Sequence, residues 1–404
     1  MNKKHIVIIG GGFGGINTAK YLKPLIISGQ IDVTIFNRTN HFLFTPLLHE
    51  VATGALSPTS VVEPLQEIFR HSNVRFILDE VLGIDPHIQH VSTAKESILY
   101  DYLVISSGAE TNYYNVPGAK ENTYVLKDLH DAEILRKRLL DVCREASNAH
   151  DDEERQRLLS VAIIGAGPTG VELSAEIVEL MHGTLCSYYK LCGFSTIHMK
   201  IRLITATPDV LSMFPVKLRS LAKDELIRKG VEIVANEAVT EIQSGKIIFA
   251  DKSFLEANTV IWVAGVKPVT LEINGIEKEK NGRYKIDEFL RVSPNIFALG
   301  DSSGTLPMLA QVAVQQGKNV ARNIGASLRK KPLISFVYRQ KGLLVSLGQW
   351  YAVGTILGIT LKGPLMWILW RAIYLFNFHS LRNKLRIAGE WTVNLFYPRD
   401  ITED

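Results

Sequence analysis

Cysteine is scarce. The 404 residues include three, Cys143, Cys186 and Cys192, in neither a C-x-x-C pair nor any metal-ligand spacing. That excludes a disulfide framework and a zinc or iron–sulfur site; no metal is expected, and the sulfurs read as reduced thiols. No secretory leader is expected either. Lys3, Lys4 and His5 precede only four apolar residues before the glycines begin, so a cytoplasmic setting is expected. Low complexity is absent, and the short acidic run Asp151 to Glu154 reads as a solvated loop or helix start. With 46% hydrophobic residues, the chain suffices for two or three domains with sizeable cores.

Acidic residues are nearly absent from one region. Between Arg329 and Arg399 eleven Lys and Arg face a single acid, Glu390, so this segment carries +10 while the chain as a whole carries +4 and the remainder −6. An anionic lipid surface is the expected partner. Nucleic acid is not, because these basic residues are interleaved with aromatic and aliphatic runs unsuited to a phosphate backbone.

In place of cysteine chemistry the chain has a repeated glycine pattern. An apolar run, Ile6 to Ile9, leads into Gly10-x-Gly12-x-x-Gly15 and then a helical pattern. The first glycine permits a tight turn, the second admits a pyrophosphate close to the backbone, and the third lets helix and strand pack closely. Phosphates then meet free N–H groups and the positive end of the helix dipole. Residues 161–173 repeat this as VAIIGAGPTGVEL, with Gly165, Gly167 and Gly170. The duplication runs deeper: 98 residues separate Gly10 from Gly108 in YLVISSGA, and 100 separate Gly165 from Gly265 in TVIWVAGV. Both are apolar strands ending in small residues, as required where backbone crosses close to a bound dinucleotide.

Each unit should also offer a group to the adenosine ribose. In the first, strand Ile31 to Phe36 ends at Asn37; in the second, IRLIT ends at Thr205. Both are uncharged where an acid is usual, so NADH and NADPH both stay open; the lack of Lys or Arg directly after Thr205 favours NADH. Near the end of the second unit, RVSPNIFALGD closes on Gly300 and Asp301, and Asp301 is expected to bind a flavin's ribityl chain.

Taken together, these residues resemble the flavoproteins with two dinucleotide-binding domains, and among them the type II NADH dehydrogenases, single-chain NADH:quinone oxidoreductases. The resemblance covers residues 1 to about 328 and rests on FLFTPLLHEVATG (Phe42 to Gly54), GAGPTGVELSAE (Gly165 to Glu176) and AQVAVQQG (Ala310 to Gly317). It implies an α/β fold of two Rossmann-like domains, the second inserted in the first. The FAD domain would span residues 1–115 and 285–328, the NAD(P)H domain 116–284, and a membrane-associating region 329–404. FAD would be held by Gly10, Gly12, Gly15, Asn37, Gly108, Gly300, Asp301 and Ala313, and NADH or NADPH by Gly165, Gly167, Gly170, Thr205 and Gly265. AQVAVQQG would lie beside the isoalloxazine ring at the entrance for a membrane quinone. There Gln311 is the principal candidate for quinone or flavin contact, Gln315 and Gln316 are lesser ones, and Ala310 and Ala313 would keep the passage open. Glu172, two residues past Gly170, is expected to position the nicotinamide or supply a proton. Disulfide reductases and sulfide:quinone oxidoreductases of the same superfamily need redox cysteines that this chain lacks at the required places.

The C-terminal region begins with an uncharged run, Leu343 to Leu361, long enough to span a bilayer but rich in glycine and β-branched residues, which suits a strand pair better. Pro364 to Phe378 reads as a helix, with Trp367, Trp370 and Tyr374 at a membrane interface. After it Leu381, Leu385, Ala388, Trp391 and Leu395 recur at helical spacing opposite Arg382, Lys384, Arg386 and Glu390, giving an amphipathic helix for a headgroup region. A core or homodimer contact is the alternative use of these helices. The function expected is NAD(P)H:quinone oxidoreduction at the cytoplasmic membrane surface without proton pumping. The alternatives are a soluble flavin reductase serving a protein carrier such as ferredoxin, and a flavin-containing NADH sensor.

Overall fold

The computed structural model describes residues 3–189 and 199–402. In chain order the elements that matter are β1 (Lys4–Ile9), α1 (Phe13–Ile27), β2 (Ile31–Asn37), α2 (Leu48–Ala52), β3 (Val74–Leu78), β4 (Tyr102–Ile105), β5 (Tyr124–Val125), α3 (Leu129–Ser147), β6 (Ser160–Ile164), α4 (Pro168–Glu179), β7 (Lys200–Thr205), α5 (Val216–Arg228), β8 (Val231–Ala235) and β9 (Thr259–Trp262). They continue with β10 (Arg291–Ser293), β11 (Ile296–Ala298), α6 (Ala310–Leu328), β12 (Gly342–Ser346), β13 (Ala352–Ile356), β14 (Ile359–Gly363), α7 (Pro364–Asn377) and α8 (Leu381–Val393).

The chain forms two compact units, one of residues 1–43, 62–110 and 266–340, the other of residues 44–61, 111–265 and 341–404. The first is built on a six-stranded sheet in the order β10-β11-β4-β1-β2-β3, parallel except for the antiparallel edge strand β10. β1 is flanked on both sides, and Ile6, Val7 and Ile8 are fully buried, which is why its apolar residues run unbroken instead of alternating. α1 packs along α6, and a Cβ on Gly317 of α6 would come 2.6 Å from the Gly14 carbonyl oxygen, so a side chain there would force the two helices apart.

The second unit repeats the design with the parallel sheet β5-β9-β6-β7-β8, whose strand β6 is buried along its whole length. The C-terminal segment belongs to this unit and contributes an antiparallel meander, β12-β13-β14, followed by α7 and α8. The strand pair expected within Leu343 to Leu361 is therefore present and extended by a third strand, and Pro364 does open a helix. Asp151 caps a short helix, Asp152–Leu158, by accepting from Glu154 N.

The unit boundaries differ from those expected. Residues 266–284 fall in the first unit, where Tyr284 Oη donates to the Leu271 carbonyl, and residues 44–61 fall in the second, with the C-terminal segment. Cys143 is a buried free thiol. Cys186, read from sequence as a reduced thiol, is instead disulfide-bonded, and Cys192 lies outside the described residues.

Candidate cofactor cradles and a buried acidic cluster

The two glycine turns have the same construction. Gly10 N donates to the Phe36 carbonyl at 2.8 Å, and Gly165 N to the Ile204 carbonyl at 2.9 Å, each tying the turn to the neighbouring strand. Both glycines have positive φ, +100° and +114°, which an L side chain would oppose. A Cβ on Gly15 would sit 1.9 Å from the Gly10 carbonyl oxygen, and one on Gly170 would sit 1.9 Å from that of Gly165. Those positions close the helix onto the turn. Gly12 and Gly167 do the opposite: a Cβ on either would meet nothing within 4 Å, so the backbone there faces open space. α1 and α4 begin at these glycines with no side-chain cap and no acid in the first turn, leaving their N–H groups for an anion. The residues of both turns thus fit the pyrophosphate of a dinucleotide.

The groups around the first turn are placed as follows. Gly108 adopts φ +73°, with open space beside its Cα, and its carbonyl accepts from Val269 N. Asn37 is closer to the turn than expected: its Oδ1 accepts from Gly11 N at 2.8 Å and its Nδ2 donates to the carbonyl and hydroxyl of Thr39. It therefore braces the glycine turn as well as lying beside it. Gly300 and Asp301 form a 3₁₀ turn in front of α6. Gln316, 1% exposed, accepts through Oε1 from Gly300 N at 2.7 Å and fixes that turn, and a Cβ on Gly300 would lie 3.3 Å from Cβ of Ala313. Arg283, which no motif marks, is buried near Asp301, with its Nη1 donating to the carbonyls of Gly304 and Leu306. Gln311 is the second residue of α6, partly buried. Gln315 departs from the expected role: its amide brackets the Arg339 backbone, donating to the carbonyl at 2.9 Å and accepting from the N–H at 3.2 Å. It anchors a coil rather than presenting a free amide.

In the second unit, Thr205 ends β7 and is 8% exposed, its hydroxyl 2.8 Å from that of Thr207. A Cβ on Gly265 would run into the Tyr114 hydroxyl at 2.2 Å, so this small residue makes room for a tyrosine of the same unit.

Glu172 lies in α4 and is not an exposed first-turn acid; it is 5% exposed. It is one of four clustered carboxylates. Glu172, Glu176 and Glu179 follow one face of α4, and Glu50 comes from α2. Arg399 binds Glu176 at 2.6 Å and Glu179 at 3.0 Å, while Lys229 binds Glu179 at 2.6 Å. Trp391 Nε1 donates to Glu50 Oε2 at 2.6 Å, and Arg371, stacked 3.7 Å from the Trp367 ring centroid, provides the cationic field at Glu50. Four carboxylates thus face three cations in a largely buried cluster. Among the described residues neither Glu172 nor Glu50 forms an ion pair with Lys or Arg; Glu172 Oε1 accepts from Ser346 N at 3.0 Å, and Oε2 lies 3.7 Å from Nδ1 of His49. Burial first, then the charges of Glu50 and Glu176, push its pKa well above the ordinary carboxylate value, which favours the neutral form of Glu172. Burial likewise lifts Glu50 to about 7.

Sequence reasoning found Glu172 but missed Glu50, Glu176 and Glu179. The signal was the i, i+4, i+7 spacing of three acids in the string VELSAEIVE, whose other residues are apolar but for Ser174. The same cluster overturns the interfacial reading of the tryptophans. Trp367, Trp370 and Trp391 are 4%, 0% and 5% exposed; Trp367 and Trp391 pack on Arg371, and Trp370 packs against Trp391. On α8 the buried row is Asn383, Ile387 and Trp391, whereas Leu381 and Leu385 of the expected apolar face are 70% and 66% exposed. Glu390 also faces protein, accepting from Ser57 and Ser60. Among the described residues no helix is long and apolar enough to cross a membrane, and no group of His, Cys, Asp and Glu could hold a metal.

Paired dinucleotide turns on parallel sheets define a pyridine-nucleotide flavoprotein, and residues 4–317 match the family model of pyridine nucleotide-disulphide oxidoreductases. Residues 340–400 match the NDH2 C-terminal domain. The chain belongs to the type II NADH:quinone oxidoreductase family. It is 31% identical to the type II NADH:quinone oxidoreductase Ndh of Mycobacterium tuberculosis, over 98% of this chain and 89% of that protein. It is 30% identical to the mitochondrial external NADH-ubiquinone oxidoreductase 2 of Saccharomyces cerevisiae, over 99% of this chain and 82% of that one. Its fold is similar to that of NDH2 from Plasmodium falciparum in complex with NADH, with a TM-score of 0.90 at 23% identity and 100% coverage of both chains.

Proposed function

We propose that this chain oxidises NADH, with FAD as its bound redox group, and delivers two electrons to a membrane quinone. The observation that carries this reading is the pair of open, uncapped glycine turns of identical construction, one in each unit, which fit two dinucleotides. FAD supplies two-electron redox chemistry when bound. The turn at Gly10, Gly12 and Gly15, braced by Asn37, would hold its pyrophosphate, and Asp301, on the turn fixed by Gln316, would take its ribityl chain. Gly165, Gly167 and Gly170 would hold NADH. Neither Thr205 nor its neighbours offers a cation to a 2′-phosphate, which favours NADH over NADPH.

Reducing a quinone to its quinol with NADH consumes one proton beyond the hydride. Glu172 stores that proton in a buried, neutral carboxyl held in place by the Ser346 N–H. The partly buried Gln311 amide contacts the quinone carbonyl without placing a charge near it.

Membrane attachment is peripheral and rests on the C-terminal segment. Leu365, Ile368, Phe376, Leu381, Leu385 and Phe396 are all more than half exposed there, beside Arg382 and other basic residues suited to an anionic leaflet on the cytoplasmic side. Stopped-flow recording of flavin absorbance on mixing with NADH and then with a quinone tests the reading. Fast bleaching followed by fast recovery is expected. Bleaching with recovery only by a protein carrier, or only over minutes by any acceptor, would overturn it.

A further inference from the structure

Within the acidic cluster one titratable side chain has no role so far. His49 lies on α2, 3% exposed, with Nδ1 3.7 Å from Glu172 Oε2 and its ring centroid 6.1 Å from that of Trp370. Its Nε2 is buried without a hydrogen-bond partner among the described residues. A buried imidazole nitrogen left unpaired is costly for stability alone, since a leucine or methionine would fill the same space without the penalty. The charged groups facing it are Glu172 and Glu176 from α4 and Arg399 from the C-terminal segment, and the ring also bonds the backbone of Pro46.

We propose that His49 relays protons to Glu172, taking one up at Nε2 and passing another on from Nδ1 across the short gap to Oε2. This rests on the reading of Glu172 as the proton store for quinone reduction. When the Glu172 carboxyl gives its proton to the acceptor oxygen, its O–H bond breaks and a carboxylate is left in a site with no Lys or Arg ion pair. The Nδ1–H of His49 supplies the replacement, and Nε2 takes up a proton that entered from water; no electrons move in this step. Burial keeps the imidazole neutral at rest, with its pKa down to about 4. A neutral ring can accept at one nitrogen and release at the other, whereas a ring charged at rest has no free lone pair. At 3.7 Å the transfer runs through a small closing movement or one bridging water.

The test uses the full-length, FAD-loaded enzyme in detergent, with ubiquinone-1 as acceptor. It compares wild type, His49→Gln and Glu172→Gln in the quinone half-reaction across about pH 5.5 to 9, in H2O and D2O. His49→Gln is expected to slow the quinone half-reaction by about a hundredfold, to change its pH profile and to enlarge its solvent isotope effect, more than it changes flavin reduction by NADH. If Glu172→Gln alters the profile while that of His49→Gln superimposes on wild type, the relay is wrong and the Glu172 reading stands. If both superimpose on wild type, the Glu172 reading has failed. Should His49→Gln lose FAD, His49→Gly supplied with 4-methylimidazole replaces it. Recovery of the rate with added imidazole supports a relay, and restoration of folding without recovery of the rate overturns it.

Discussion

Removing Arg399 should be among the most damaging single changes in the second unit. The guanidinium is 7% exposed; Nη2 meets Glu176 at 2.6 Å and Glu179 at 3.0 Å, and Nη1 donates to the carbonyls of Thr53 and Glu176. Arg399→Met keeps much of the volume but leaves Glu176 buried without its principal counter-charge, a change that costs about 3 to 5 kcal/mol. At about 2 to 4 °C per kcal/mol for a body of this size, the Tm should fall by roughly 6 to 20 °C. The pH dependence identifies the cause. Burial pushes Glu176 up, yet Arg399 foremost, with Arg371, brings it below its ordinary value. In wild type it therefore contributes stability above the unfolded carboxylate pKa, which is lost as pH falls through the lower folded value. Without Arg399 the burial push dominates, the folded pKa rises above the unfolded one, and the sign reverses, so the deficit grows as pH rises. Thermal unfolding followed by circular dichroism at pH 5 and pH 8 gives the comparison. Arg399→Met combined with Glu176→Gln should recover at least half of the loss at the higher pH. An equal loss at both pH values, or no recovery in the double variant, would refute the charge argument and leave only packing.

Other consequences follow from the same contacts. Gly15→Ala and Gly170→Ala each place a methyl 1.9 Å from a carbonyl oxygen, so the first should abolish FAD retention, read from the flavin absorbance of purified protein, and the second should raise the Kd for NADH at least tenfold, read by calorimetry. Glu50 is held up to about 7 by burial, so the stability it contributes is fully present below the unfolded carboxylate pKa and is lost as pH rises through about 7; Glu50→Gln should raise the Tm more at pH 8 than at pH 5.5. Leu381→Asp with Leu385→Asp alters two exposed side chains and should reduce co-sedimentation with anionic vesicles while the Tm stays within about 2 °C. Retained co-sedimentation would remove α8 from the membrane face.

Legibility from sequence followed how local the physical cause is. Gly10, Gly12 and Gly15 announce a turn because the constraint lies in three residues and their own backbone, and the second set confirms it by repetition. The fold class, the cofactor class and the start of α7 at Pro364 were legible for that reason. Gln315 and Asn37 were harder to read. An amide's chemistry is visible in sequence, but its partner, the Arg339 backbone in one case and Gly11 N in the other, is set by loops folding back. Trp391 was assigned to the wrong face because helical spacing ranks residues by apolarity alone. Ile387 and Trp391 share their buried row with the polar Asn383, whose Nδ2 donates to the Ser60 carbonyl, a partner 323 positions away.

The same long-range pairing changes what the uneven charge means. A basic tail on an acidic body suggests an external anionic surface, and part of the tail is well placed for one. Two of its cations are not. Arg371 faces Glu50 from within α7, and Arg399 neutralises Glu176 and Glu179. Some of the charge separation is therefore internal: α4 and α2 supply buried acids, and the C-terminal segment supplies two of the three cations that face them, with the Trp391 N–H donating to Glu50. Since Ser346 N also bonds Glu172 and the segment helps to bury it, the segment proposed to face the membrane influences the protonation of the acid proposed to serve the quinone. Deleting residues 364–404 should then do more than release the protein from vesicles. It should also ionise Glu172 and Glu50 by exposing them to water, and it should move the pH profile of the quinone half-reaction towards lower pH even with a water-soluble quinone. A truncated enzyme that keeps the full-length profile would separate attachment from chemistry and refute the coupling.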